Sequence, residues 1–214
     1  ANLNWINPEI TNLVPVLNSY WLMIHVSIIT SSYGFLALSA FLGVLTLFLV
    51  IFTHKGNFLK INTEIKRLVG INEICMVLGL FLLTIGTFLG GVWANESWGR
   101  YWGWDPKETW ALISVVVYSI ILHIRLVSTH RFKYLFSVAS VIGFSSIIMT
   151  YFGVNFYLSG LHSYANGEPP PAQSWIYISS IITLIIIIFS GLKFHFSYLN
   201  QNFSSNKKTF LTNK

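Results

Sequence analysis

Trp93-Ala94-Asn95-Glu96-Ser97-Trp98-Gly99-Arg100-Tyr101-Trp102-Gly103-Trp104-Asp105-Pro106-Lys107-Glu108-Thr109-Trp110 lies between two long apolar runs, and its reading decides what kind of protein this is. Five of the chain's eight tryptophans fall inside it, with two cations and three carboxylates. Indole rings suit the headgroup layer of a bilayer, and Trp5, Trp21 and Trp175 read as such belt residues. Belt tryptophans scatter over helix ends, however, and these five cluster in one connection. Gly99 and Gly103 stand among them and admit unusual backbone turns. An aromatic shelf with a few polar groups suits a large flat ligand. Two readings therefore stand for this stretch, an interfacial belt and a ligand platform.

Composition sets the surroundings. The chain has 214 residues, 54% hydrophobic and 9% charged, with a mean hydropathy of +0.63. A soluble domain carries roughly 25% charged residues. The chain reads as an all-α integral membrane protein, a single helical bundle of about five transmembrane helices with an external tryptophan-rich loop. The net charge of +6 does not call for nucleic acid, because the basic residues sit in short links between apolar runs. The single cysteine, Cys75, excludes an internal disulfide, a Cys-based zinc site and a Cys-x-x-Cys-His motif of the chain's own. No basic region followed by a cleavage site opens the chain, so no signal peptide is expected; the start at Ala1 fits a mature form or the C-terminal part of something longer.

Spans are predicted at about residues 20–52, 71–92, 106–126, 134–157 and 174–193. Polar links cover 53–68 and 125–133, and a turn-rich loop covers 158–173. Asp105, Pro106 and Glu108 have the spacing of an N-cap, a first-turn proline and the closing residue of a capping box. The two links and the tail hold most of the Lys and Arg, so the positive-inside rule puts them in the cytoplasm and the tryptophan loop outside. The expected organisation is an external segment at 1–19, a membrane domain at 20–195 with its loop at 93–110, and a cytoplasmic tail at 196–214 without regular structure.

This topology brings His25 and His162, from distant segments, to the tryptophan face. Two neutral imidazoles can supply both axial ligands of a haem iron. They could also begin another metal site, though a catalytic zinc normally takes three protein ligands and no third is evident. His123 is an ionisable residue within a span, about 27 Å along its helix from Asp105 at 1.5 Å per residue. His54, His130 and His195 read as interfacial residues. Arg100 and Lys107 are the external cations, placed to meet an anionic group such as a haem propionate. Hydrolytic nucleophile motifs, phosphate loops and dinucleotide fingerprints are absent from the sequence.

Residues 98–110 resemble the WWD signature of membrane haem-handling proteins. Tyr20-Trp21-Leu22-Met23-Ile24-His25-Val26, Leu122-His123-Ile124-Arg125, Tyr151-Phe152-Gly153-Val154-Asn155 and Gly160-Leu161-His162-Ser163-Tyr164 narrow the resemblance to the CcsA-type subunit of system II cytochrome c synthase. That family joins the vinyl groups of haem to the two thiols of a Cys-x-x-Cys-His apocytochrome. The resemblance implies a haem lyase or synthase component that handles haem b as ligand and substrate. It implies that His25 and His162 ligate the external haem iron, and that Trp98, Arg100, Tyr101, Trp102 and Trp104 hold the ring. It implies that His123 belongs to an inner haem site whose other ligand lies in another portion of the synthase. Implied partners are apocytochrome c, a CcsB-type protein or a missing N-terminal part, and the lipid bilayer, with no nucleic acid. The implied setting is a bacterial inner membrane or a plastid thylakoid, with the WWD loop on the periplasmic or lumenal side. The alternatives are a CcmC-type haem-delivery module without lyase activity and a b-type electron carrier. The spacing from His25 to the loop and the Gly160–Tyr164 motif favour the CcsA type over CcmC.

Overall fold

The computed structural model describes residues 19–54, 56–127, 131–162 and 174–212. The helices are α1 (Tyr20–Ile51), α2 (Phe58–Trp98), α3 (Pro106–Val127), α4 (Phe132–Ile148), α5 (Val154–Tyr157) and α6 (Ser174–Thr212). A π-helical turn, Met149–Gly153, joins α4 to α5 without a break in the chain's helical course. Five helical stretches are long and apolar enough to cross a membrane, and the described residues contain no strand. The architecture is an all-α membrane bundle.

Three boundaries differ from those expected of the sequence. The link at 53–68 shrinks to the turn before Phe58, because Ile61, Ile65 and Val69 recur at helical spacing and pack into the core. The stretch 93–110 divides in three. Trp93–Trp98 form the last turns of α2, residues 99–105 form the loop, and Pro106 opens α3. The tail expected to lack regular structure continues α6 to Thr212. All of the expected external segment at 1–19 but Ser19, and the greater part of the 158–173 loop, lie outside the described residues.

No proline interrupts α1 or α2, and α2 runs for 41 residues, roughly 60 Å at 1.5 Å per residue. It stops at Gly99, whose φ of 71° is left-handed and whose N–H bonds back to Asn95 O at 2.9 Å. The loop then turns the chain into α3. Arg125 at the far end of α3 meets Glu73 of α2 at 2.6 Å and covers the Phe132 ring, with its guanidinium carbon 4.8 Å from the centroid. Lys133 reaches Asn62 at 3.1 Å. The bundle therefore has a basic end, opposite the tryptophan end where α1 and α3 start.

In lipid, helices gain nothing from burying apolar surface against one another, so small residues and internal hydrogen bonds hold them together. Gly79 admits Leu36 of α1, Gly86 admits Ile29, and Gly43 sits against Ser137 and Ser140 of α4. Around these contacts Leu36, Met76, Leu83, Tyr118, Phe136 and Ile147 form the core. A fully buried polar cluster ties three helices: Ser39 donates to Asn72 Oδ1 at 2.5 Å, and Asn72 donates to Ser140 Oγ at 3.2 Å. Asn72→Ala should lower stability in detergent by about 1 kcal/mol, the usual scale for such bonds in membrane bundles. Thermal unfolding checks this, and an unchanged midpoint would remove the cluster's structural role. By contrast α6 packs mainly on α1, adds a stack of Phe194 on Tyr134 at 4.8 Å, and leaves most of its apolar surface exposed.

Candidate functional site

At the tryptophan end lies a cavity of about 160 Å³, open to the outside, between α1, α2, the start of α3, the π-helical turn and the loop. His25, Trp93, Tyr101, Trp102, Lys107 and His162 are among its lining residues. The two distant histidines thus share one cavity.

His25 stands in the second turn of α1. Its Nδ1 lies 2.7 Å from Gly86 O of α2. A carbonyl only accepts, so Nδ1 carries the proton and Nε2 keeps its lone pair. Gly90, one turn further along α2, makes room for the ring: a Cβ there would stand 2.6 Å from Cε1 and 2.9 Å from Nδ1.

His162 follows α5, beyond the helix end. Its Nδ1 lies 2.9 Å from Asp105 Oδ2. The carboxylate accepts, so this ring too is protonated at Nδ1 and bare at Nε2. Burial pushes the His162 pKa down, and the hydrogen bond to Asp105 offsets part of that effect. The ring is therefore neutral at pH 7, and protons compete weakly for its free nitrogen. Trp98 meets it edge-on at 4.9 Å, and Trp93 lies 5.7 Å away.

The helix-start signals of α3 have the expected geometry. Asp105 Oδ2 accepts from Lys107 N–H at 3.2 Å, and Glu108 Oε2 accepts from Asp105 N–H at 3.1 Å, which closes the capping box. Glu108 Oε2 also takes Gly103 N–H at 2.8 Å and so ties the loop to α3. Asp105 has further contacts. Its side chain is 4% exposed, and its Oδ1 accepts Leu161 N–H at 2.6 Å.

The other residues singled out from the sequence divide. Tyr101 and Trp102 line the cavity, while Trp98 backs His162. Trp104 is 71% exposed and meets Trp102 edge-on at 5.8 Å. Its φ of 58° is left-handed, a conformation costing about 1–3 kcal/mol outside glycine. The unusual turns of the loop thus fall at Gly99 and Trp104, and Gly103 instead supplies room for the Arg100 guanidinium that lies over it. Arg100 is exposed, 3.5 Å from Gly103 O, and is not among the lining residues. Lys107 is the one Lys or Arg among the described lining residues, and its Nζ donates to Asn155 Oδ1 at 2.8 Å.

His123 is elsewhere. It borders a wide apolar groove of about 1,350 Å³ between α3 and α4 that shares no lining residue with the first cavity. Its Nδ1 donates to Ser119 O at 2.6 Å, which again leaves Nε2 bare. No group of three or more His, Cys, Asp or Glu side chains able to hold a metal ion occurs among the described residues. His54 is exposed beside Phe52 O, and His130 lies outside the described residues.

Sequence reasoning counted Trp93 among the five clustered tryptophans and gave it no individual role. It is 1% exposed, packs on Trp98 at 4.7 Å and walls the cavity. The available signal was helical periodicity running past Val92 into the tryptophan stretch. The bond from Asp105 to His162 had no signal of its own, because it joins residues 57 apart.

The family described as cytochrome c assembly protein matches residues 2–162. Protein NrfI of Wolinella succinogenes is 59% identical over 171 residues, covering 80% of this chain and 19% of that protein. The cytochrome c biogenesis protein CcsA of Chlamydomonas reinhardtii is 44% identical over 153 residues, covering 71% of this chain and 42% of its own. CcsA of Guillardia theta is 40% identical over 173 residues, with 71% and 56% covered. The chain thus spans less than two thirds of the length of each of these relatives. The match over residues 2–162 and these relatives, on a five-helix membrane bundle, make the chain a member of the cytochrome c assembly protein family, of the CcsA type.

Proposed function

We propose that this chain binds haem b at the tryptophan end, with His25 and His162 on the iron, and presents it for thioether formation with a Cys-x-x-Cys-His apocytochrome c. One observation carries the reading: two histidines from distant parts of the chain line one cavity, each with its proton held on Nδ1 by an acceptor, which leaves Nε2 unprotonated. Two neutral imidazoles suit a haem iron. The aromatic wall suits the ring, with Tyr101 and Trp102 against it, Trp98 behind His162, and Trp104 and Arg100 at the rim. Lys107 suits a propionate. The relatives' names, which speak of cytochrome c biogenesis, support the reaction class.

In the proposed reaction each cysteine thiol adds across one vinyl group. The sulfur bonds one vinyl carbon, the thiol proton ends on the other, and no electrons are left over. The protein's part is orientation, which holds a vinyl beside the incoming sulfur. The apocytochrome's own histidine then replaces one protein ligand.

By the positive-inside rule we place the tryptophan end on the periplasmic or lumenal side of a bacterial or thylakoid membrane, and the basic end in the cytoplasm or stroma. Residues 1–19 then form an external segment and 196–214 a tail on the inner side. We also assign His123 to an inner haem contact, whose opposite ligand comes from a CcsB-type partner or a further portion of the synthase.

The test is an absorption spectrum of the purified protein, followed by co-expression with an apocytochrome carrying Cys-x-x-Cys-His. A low-spin haem spectrum and covalent haem on the apocytochrome are expected. Haem-free protein, or bound haem that is never transferred to the thiols, would overturn the reading.

A further inference from the structure

We propose that Asp105 is a positioning residue for haem ligation: it holds the His162 proton on Nδ1, lends that ring negative charge, and makes His162 the stronger of the two iron ligands. The inference rests on the haem reading above and goes beyond it in ranking the ligands.

A helix cap does not account for what Asp105 does. Capping α3 takes one oxygen contact, the one to Lys107 N–H, and Asn or Ser would serve as well. This carboxylate accepts two more N–H groups, from Leu161 and His162, more than fifty residues away. It is buried, and a buried carboxylate needs such donors to offset its lost hydration. An amide could not replace it. One side of an amide is an NH₂, which would face the N–H of Leu161 or of His162 donor to donor.

The backbone is fitted to the same contact. Gly160 lies against the carboxylate, and a Cβ there would overlap Asp105 Oδ1. The missing side chain lets the Leu161–His162 turn close onto Asp105.

His25 has a different partner. Its Nδ1 donates to the neutral carbonyl of Gly86. Both rings are held in the same tautomer, yet only His162 faces a full negative charge. A carboxylate behind a ligating imidazole raises its basicity and steadies its orientation. The iron is thus held asymmetrically, firmly by His162 and more weakly by His25, and His25 is the ligand an incoming histidine displaces.

The test uses the full chain purified from membranes. Asp105→Asn should reduce haem retention about 10- to 100-fold, the usual effect of losing such a partner. It should also shift the reduction potential of the remaining haem positive, because a less basic ligand stabilises ferric iron less. Gly160→Ala, which changes no functional group, should move both in the same direction. A purely capping role predicts otherwise: Asn caps helices as well as Asp, so haem retention and potential in Asp105→Asn should stay at the wild-type values. Nitrogen-15 spectra of the haem-free wild type should show His162 protonated at Nδ1. The ranking adds that His25→Ala retains about tenfold more haem than His162→Ala, the low end of that range. Asp105→Asn with wild-type haem retention and potential overturns the role of Asp105 alone. A wild type that binds no haem overturns the haem reading and the ranking with it.

Discussion

A His25→Ala, His162→Ala double variant purified from membranes will carry no haem at the tryptophan end. Each single variant will hold haem through one imidazole, in a five-coordinate, high-spin form. Losing the neighbour of a metal ligand costs about 10- to 100-fold in affinity. Losing a ligand itself costs more, so each single substitution should exceed the lower figure and the pair should fall below detection. Both histidines line one cavity and are held through Nδ1, and truncating either leaves space that free imidazole can enter. Added imidazole should therefore restore the low-spin spectrum of each single variant and not that of the double. Haem content per protein and the Soret and visible bands report every outcome. A double variant that keeps a low-spin bis-imidazole spectrum would show that these two histidines are not the ligands, though His123 at the other groove must be replaced in the same background to make that comparison clean.

Gly90→Val will reproduce the His25→Ala spectrum without touching a ligand. A Cβ at 90 falls 2.6 Å from His25 Cε1, well inside contact distance, and valine adds two methyl groups beyond it. The ring must leave Gly86 O, and with it the contact that fixes its orientation and tautomer. Overpacking of this kind costs about 1–3 kcal/mol. Valine is itself a slightly better helix former than glycine, so weakening of α2 cannot explain a loss. Gly90→Ala should act in the same direction with a smaller effect. The measurement is haem content and spin state beside the unfolding midpoint. A six-coordinate spectrum in Gly90→Val would mean that His25 has another way to reach the iron.

Much of this arrangement could be read from residue order. Apolar run lengths gave the number of spans, and the distribution of Lys and Arg gave two distinguishable ends, because bilayer thickness and loop charge act on local sequence. The start of α3 was legible for the same reason: an N-cap, a proline and a glutamate act within one helical turn. The start of α2 was missed because charge masked period. Lys60, Glu64, Lys66 and Arg67 make 53–68 look like a link, while Ile61, Ile65 and Val69 carry one helix face into the core. At the site, His25, His162, Tyr101 and Trp102 were anticipated as neighbours, and topology was enough to bring them together. The distinction between Lys107 and Arg100 was not available, since both lie in the same connection and only side-chain direction sends Lys107 inward. Asp105 was legible as a cap and illegible as the partner of His162, because no periodic or compositional signal links residues so far apart in the chain.

Both histidine contacts reach back to the middle of the chain, across separations of 61 and 57 residues, with Gly86 and Asp105 as the fixed points. This has a meaning in time as well as in space. As the chain is made from its N-terminus, the seat of His25 is complete once α1 and α2 have paired. The seat of His162 cannot close until α4 and α5 have been threaded into the membrane. During synthesis the seat of His25 therefore forms well before that of His162, and a haem held as proposed would gain its second imidazole only when the bundle around the cavity is finished.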